Sequence, residues 1–204
     1  TFSRLRPRGC GPVAQPPANS EHRHVDSINR NQPEDNHRDL LGTDAVEYLT
    51  ALHKKTQTCF FRTRGAQGPS GGTRPMNVRK VDERGRYWFL SASDSHKNLE
   101  IAADPSVELY LQETEHSGFV HLTGRATVSR DPARIKELWE PILRTWFTEG
   151  IDDPRITVIE VMPTDGYYWD NKHGDTVAGI KMLVGAATGK TLDDSIEGRL
   201  SVAG

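Results

Sequence analysis

Two short stretches of this 204-residue chain bring together residue types that can do chemistry. The first is Thr73-Arg74-Pro75-Met76. The second is Tyr87-Trp88-Phe89-Leu90-Ser91, followed closely by Ser95-His96-Lys97. The second reads as a strand with a flat apolar and aromatic wall that runs into the start of a helix. A helix N-terminus presents unpaired backbone N–H groups and the positive end of the dipole. Ser95 and Lys97 add a hydroxyl and an ammonium there, and Arg74 adds a forked guanidinium if its strand lies alongside. This set suits a ligand with a phosphate at one end and a planar ring at the other. Each charge-assisted hydrogen bond to the phosphate contributes about 1.5–3 kcal/mol, so two or three would dominate binding. A plainer reading exists for each piece: Trp88 and Phe89 as ordinary core, and Ser95, His96 and Lys97 as a solvated helix start. The residues by themselves define no more than a phosphate-bearing planar ligand.

Several elements must position these residues. Asp44 and Glu47 make a capping-box-like start, after which Val46, Leu49 and Leu52 recur on one helical face. Residues 56–63 read as a strand and 65–72 as a Gly-rich loop. Residues 73–82 read as a second strand, whose Pro75 lacks a ladder donor and points to an edge or a strand start. A turn over 83–86 leads to a third strand over 87–92, set beside the second in a meander. Ser93-Asp94-Ser95 reads as a cap for a short helix through Leu99, Glu100 and Ile101, which Asp104-Pro105 ends. Val107, Leu109 and Leu111 alternate, and so do residues 119–128, as a hairpin. Asp131-Pro132 opens a helix carrying Ile135, Leu138, Trp139 and Ile142. Residues 155–169 read as a long sixth strand and 175–187 as a final helix. This order predicts a mainly β (α+β) fold, with six antiparallel strands closed or nearly closed into a barrel and helices flanking it.

Composition narrows the function classes. The net charge is −2 with acids and bases mixed, so no broad basic face for nucleic acid is expected. No apolar run reaches membrane-spanning length, so no membrane partner is expected. Cys10 and Cys59 make no disulfide framework, which favours reduced thiols and a cytoplasmic location. Residues 1–42 are rich in Pro, Asn, Arg and His and read as a disordered tail. Residues 43–189 then form the folded domain, and 190–204 a flexible tail. Arg4, Arg6 and Arg8 come without the apolar stretch of a secretory signal. His22, His24 and His37 lack a Cys or carboxylate cage and read as solvated rather than metal-binding. The run from Gly185 to Thr191 resembles a P-loop but has three residues between its glycines where four are needed, so it reads as a helix end.

Further residues complete an ordered series. After Arg74-Pro75-Met76, Trp88-Phe89 and Ser95-His96-Lys97 come Asp104-Pro105-Ser106-Val107, Gly124-Arg125-Ala126 and Asp131. Trp139-Glu140-Pro141, Trp146-Phe147, Gly150, Asp152-Asp153-Pro154 and Tyr168-Trp169-Asp170 follow. Over residues 44–189 this series resembles the pyridoxamine 5′-phosphate oxidase-like superfamily of FMN-binding split barrels, in its general stress protein branch. The resemblance implies a six-stranded antiparallel split β-barrel and a homodimer with FMN between the subunits. Arg74, Ser95 and Lys97 match the positions that hold the FMN phosphate, with His96 beside them. Pro75, Met76, Trp88, Phe89, Leu90 and Ser91 match the segments that line the ring. Trp146 and Trp169 match ring or groove contacts from either subunit, with plain interface packing as the other reading.

The implied function is that of an FMN-dependent oxidoreductase acting on a small molecule in a stress response. Two alternatives stand beside it: a non-enzymatic FMN-binding or sensing protein, and pyridoxamine 5′-phosphate oxidase proper. The chain departs from the last. Asp170-Asn171-Lys172-His173-Gly174 stands where an Arg-Leu-His-type segment is expected, and Pro75-Met76-Asn77-Val78 replaces a longer basic strand motif. No catalytic acid or base is assigned, because a flavin accepts hydride or electrons itself. Arg79, Lys80, Arg125, Lys172 and His173 read as surface charges able to meet an anionic substrate.

Overall fold

Alternation of side chains builds the sheet. In β2 (Thr58–Thr63), Cys59, Phe61 and Thr63 are buried while Thr58, Phe60 and Arg62 face outward. In β6 (Ser106–Gln112), Val107, Leu109 and Leu111 point inward, and in β7 (Phe119–Ser129) Val120, Leu122 and Ala126 join them. Period-two patterning of this kind fixes one buried face. The computed structural model describes residues 36–64, 72–113, 118–172 and 194–203. Its remaining elements are β1 (Leu40–Leu41), α1 (Thr43–Lys55), β3 (Thr73–Asn77), β4 (Lys80–Val81), β5 (Tyr87–Ala92), α2 (His96–Ala103), α3 (Pro132–Leu138), β8 (Ile156–Asn171) and β9 (Ser195–Ser201).

Strands pair in the order β1-β9-β8-β7-β6-β2-β3, with β5 on β8 and β4 on β5. All ladders are antiparallel except β1 on β9. β8 carries β7 along one edge; on the other it takes β5 near its start and β9 near its end. No ladder joins β3 to β4, and only Val78 and Arg79 separate them. The Val78 amide donates to the Gln57 carbonyl (2.7 Å), and the Arg79 amide donates to the Trp88 carbonyl (2.8 Å). The chain itself bridges the two edges here without a ladder closing the sheet, and the result is the expected mainly β split-barrel fold with few helices. Its core gathers Phe61, Tyr87, Phe89, Leu109, Leu122 and Ile159, with Leu49 and Leu52 of α1 against them. Each such side chain contributes about 1.5–3 kcal/mol on burial.

The expected second strand over 73–82 is two strands, because its first half pairs with β2 and its second with β5. Arg74, Pro75 and Met76 are thus not ladder neighbours of Trp88, Phe89 and Leu90. The cap of α1 is Gly42 at φ 55°, not the expected capping box, and Asp44 pairs instead with Arg38 at 3.4 Å. α3 stops at Leu138 because Pro141 holds Glu140 extended, and a 3₁₀ turn (Pro141–Thr145) carries Leu143 onward. Within the tails expected at 1–42 and 190–204, the described residues are in part paired. β9 pairs with β8 over residues 195–200, and residues 36–41 cover its free edge, so both segments find backbone partners. The final helix over 175–187, the P-loop-like run, His22 and His24 lie outside the described residues. Gly124 sits at the register shift between β7 and β8, where a Cβ would lie 2.5 Å from the Met162 carbonyl oxygen. Glycine is needed there for the two backbones to approach.

The β4–β5 turn is organised by Asp82. Its carboxylate accepts from the amides of Arg84 (3.0 Å) and Arg86 (3.1 Å), from the Arg86 guanidinium (2.8 Å) and from the Trp88 indole N–H (3.1 Å). Burial pushes its pKa up, but these bonds outweigh that and hold it below the ordinary aspartate range. A depressed carboxylate contributes stability that is present above its unfolded pKa and lost as pH falls through the folded one. Asp82→Asn is expected to lose about 1–3 kcal/mol at pH 7. The gap from the parent should close as pH falls below the ordinary aspartate range. Urea unfolding at a series of pH values checks this, and a gap constant with pH would contradict it.

Candidate functional site

Where the chain leaves β2 for β5, the barrel wall opens, and a cavity of about 380 Å³ lies at that opening. Such a volume falls within the range of small-ligand sites. β3 and the residues after it supply Pro75, Met76, Asn77 and Arg79; β5 supplies Leu90, Ser91 and Ala92. Lys97, in the first turn of α2, supplies an ammonium. The remaining wall is Leu143, Trp146 and Phe147, from the 3₁₀ turn and the residues just beyond it.

One end is cationic. Burial lowers the Lys97 pKa, and the positive charge of Arg74 lowers it further, with Glu100 and Asp94 opposing in part. Two cations held within reach of each other favour an anion between them. The start of α2 adds its unpaired amides, and Ser95, its N-cap, sits with its hydroxyl 3.1 Å from the Ser91 hydroxyl. Arg74 does not line the cavity. One guanidinium nitrogen donates to the Thr63 hydroxyl (3.1 Å), and another pairs with the Glu100 carboxylate (2.7 Å).

The rest of the lining is mostly apolar, with one fixed guanidinium. The Arg79 side chain is only 8% exposed and pairs with Glu140 at 2.5 Å. It also donates to the Leu138 carbonyl (3.3 Å) and to the Asn77 side-chain oxygen (2.8 Å). These bonds tie the segment after α3 to β3, and so set Leu143 and Trp146 on the cavity. Trp146 is 64% exposed at the rim. A planar apolar ring against Pro75, Leu90 and Trp146, with an anionic tail toward Lys97, fits these donors and walls.

Comparison with known proteins agrees with this fold. The family model for pyridoxamine 5′-phosphate oxidase-like proteins matches residues 44–193. The chain belongs to this family. General stress protein 26 of Bacillus subtilis (strain 168) is 30% identical over 78 residues, 37% of this chain and 55% of that protein. The match therefore spans about half of that relative. Among solved structures, the Jannaschia sp. CCS1 protein described as a general stress protein 26 superposes with TM-score 0.65 at 19% identity, over 78% of this chain and 98% of that one. The general stress FMN/FAD binding protein of Xanthomonas citri gives TM-score 0.55 at 21% identity, over 64% and 91%. A pyridoxamine 5′-phosphate oxidase-related, FMN binding protein of Nostoc punctiforme gives 0.51 at 16%, over 62% and 82%. At these identities the likeness is one of fold.

Within this family member, the site residues expected from sequence separate into two groups. Pro75, Met76, Leu90, Ser91, Lys97 and Trp146 share the cavity, with Arg74 and Ser95 close behind it. Trp88, Phe89, His96 and Trp169 do not line it. Trp88 is buried against Leu138 and Val158, with Arg134 4.1 Å and Arg86 5.1 Å from its ring. Phe89 is fully buried and meets Phe61 edge-on in the barrel core. Strand alternation explains this: the run is aromatic, but its residues take opposite faces, and both faces are covered. His96 is exposed at the head of α2. Trp169 lies eleven residues beyond Val158, the residue opposite Leu90. At about 3.3 Å per residue that is roughly 35 Å along the strand.

Sequence reading missed Thr63, Asn77, Glu100, Leu143 and Phe147, and took Arg79 for a surface charge. Thr63 continues the buried period of Cys59 and Phe61, and Glu100 lies one helical turn after Lys97, so both left a signal. A larger groove of about 600 Å³ runs past Gly42, Val46, Met162 and Val202. Its charged lining is Glu83 and Arg84, both exposed, so no donors converge there. Among the described residues, no cluster of three or more His, Cys, Asp or Glu can hold a metal, and no helix is long and apolar enough to cross a membrane. Lys97 is expected to titrate below the exposed lysines, and to move up in Arg74→Met, where the repelling charge is gone. Side-chain carbon NMR shifts across a pH series check this; a Lys97 titration indifferent to Arg74 would contradict it.

Proposed function

We propose that this protein binds FMN, with the phosphate at Lys97, Arg74 and Ser95 and the ring in the cavity lined by Pro75, Met76, Leu90 and Trp146. The observation that carries this reading is the cavity itself, which joins a cationic helix start to apolar walls. The donors at Lys97, Arg74 and Ser95 are sized for one phosphate, which favours FMN over FAD. The names of the Xanthomonas citri and Nostoc punctiforme proteins support a flavin in this fold.

A bound flavin supplies hydride or electron transfer itself. The charged groups lining the cavity are Lys97 and Arg79, which suit binding and orienting an anionic ligand. We assign it as an FMN-dependent oxidoreductase for a small molecule in a stress response. The absence of a carboxylate or imidazole in that lining also suits a flavin-holding protein without turnover. Oxidation of a reduced nicotinamide by the purified holoprotein separates the two. Cys59 is an unpaired buried thiol, as suits a cytoplasmic protein.

We further infer that two copies pack through the outer sheet face. Phe60, Tyr110, His121 and Tyr167 stand opposite one another across β2, β6, β7 and β8, with Phe119 beside Trp169 in a parallel row. Phe60 is 57% exposed, and Phe119 and Trp169 are each 43% exposed. A contiguous aromatic patch of this kind marks an interaction surface.

Protein purified without added cofactor is expected to show a flavin spectrum and the mass of FMN. Lys97→Ala or Arg74→Ala should weaken FMN by about tenfold or more, since each removes a positive charge from the phosphate end. Riboflavin should bind far more weakly than FMN. Equal affinity for the two, or full FMN retention in both variants, would overturn the assignment. Phe60→Asp is expected to give a monomer by light scattering; an unchanged oligomer would refute the packing face.

A further inference from the structure

Arg74 is held before any ligand arrives. Thr63 of β2, Arg74 of β3 and Glu100 of α2 form one knot. The Thr63 hydroxyl lies 2.5 Å from a Glu100 carboxylate oxygen, and that same oxygen takes the Arg74 guanidinium at 2.7 Å. Arg74 also donates to the Thr63 hydroxyl at 3.1 Å. Burial raises the Glu100 pKa, but the bonds from Thr63 and Arg74 and the charges of Arg74 and His96 outweigh it, so the group stays ionised below the usual glutamate range. Glu100 itself does not line the cavity, whereas Lys97, one turn earlier on α2, does.

From this arrangement we propose that Glu100 is the positioning residue of the anion cradle, fixing the Arg74 guanidinium and the start of α2 as one unit. The proposal rests on the phosphate reading above. A guanidinium has five N–H donors, and the knot engages Arg74 through one nitrogen to Thr63 and another to Glu100. The remaining donors stay available to a phosphate. An arginine stem has many rotamers, so an unanchored guanidinium loses freedom when it grips a ligand. Glu100 takes that loss at folding instead of at binding. It also offsets the repulsion between Arg74 and Lys97, which lets two cations stand together in the free protein. The two effects converge on the phosphate end, because among the described residues the Glu100 side chain bonds to Thr63 and Arg74 and to none of the ring walls.

The test compares FMN with riboflavin by quenching of flavin fluorescence on the full chain. Glu100→Ala is expected to weaken FMN about tenfold, the scale of one newly mobile side chain, with riboflavin within about twofold of the parent. Glu100→Gln keeps an acceptor oxygen for Arg74 and Thr63 and should recover most of the loss. In an Arg74→Ala background, Glu100→Ala should add nothing. FMN bound as tightly or more tightly by Glu100→Ala would make Glu100 a competing anion and overturn the proposal. Equal losses for FMN and riboflavin would make it a general structural tether and overturn it as well, as would a loss that persists without Arg74. Should Glu100→Ala not fold, Thr63→Val carries the test. It removes the shared hydroxyl and is expected to weaken FMN severalfold with riboflavin unmoved; unchanged FMN affinity there refutes the positioning role. If the parent protein itself fails to prefer FMN, the phosphate reading falls and takes the proposal with it; the variant outcomes above leave that reading standing.

Discussion

The backbone between Asn77 and Lys80 has to satisfy two sheet edges at once. Its amides donate to Gln57 next to β2 and to Trp88 in β5, and consecutive residues take those opposite partners. A continuous ladder across this point would close the wall and leave no room for a ligand. A longer excursion would leave the core open to water around Phe61 and Phe89. The switch at Val78 and Arg79 does neither. Val78 turns into the core, while Arg79 turns to the cavity and to Glu140. The opening is thus a consequence of how the sheet is completed, and the walls it exposes are the flanks of β3 and β5.

Charge distribution follows from that geometry. α2 is held near β3 by Glu100, and this contact brings Lys97 within the field of Arg74. Two like charges at such a site raise the energy of the free protein unless an anion or a carboxylate stands near. Glu100 supplies part of that compensation without entering the cavity. At the far wall Arg79 is compensated in a different way, by a direct pair with Glu140 and two neutral oxygens. The two cationic groups on the cavity therefore differ in kind. Lys97 remains under-compensated and suited to a ligand, whereas Arg79 is engaged in holding the segment that carries Trp146.

Elements with a strong period were legible in the sequence. The six expected strands are present, with one of them divided, and α1, α2 and α3 begin within a few residues of their expected starts. Helix and strand periods come from local patterning, so they show without knowledge of the partners. What could not be read depends on partners distant in sequence. The break at Val78 reflects a change of neighbour that no local pattern records. β9 is polar enough to pass for a tail, with Glu197 and Arg199 outward. It is ordered because β8 extends past β5 and offers a free edge, which residues 36–41 then cover from the other side. In the site, residue types indicated chemistry but not direction. Trp88 and Phe89 read as ring walls because they are flat and adjacent to a helix start, yet alternation sends one outward under α3 and the other into the core. Lys97, Pro75 and Met76 were legible because the turn into α2 and the strand start fix their direction.

Trp146 and Trp169 illustrate the difference between sharing a sequence signature and sharing a site. Both sit on segments of the ordered series that carries the family resemblance, and both are exposed. Within one copy they stand on separate elements, and eleven residues of β8, with the β7–β8 register shift between them, separate Trp169 from Val158 opposite Leu90. Trp146 belongs to the cavity through its own backbone, held by Arg79 before it and by Arg155, which donates to its carbonyl at 3.4 Å. Trp169 belongs to the outer face, where Tyr167 tilts against it with ring centres 4.8 Å apart. A role for Trp169 at a flavin therefore requires the second copy proposed above, whereas a role for Trp146 does not. The same substitution to leucine at the two positions consequently distinguishes contributions made within a chain from those made across an interface: only the effect at Trp169 should depend on the oligomeric state.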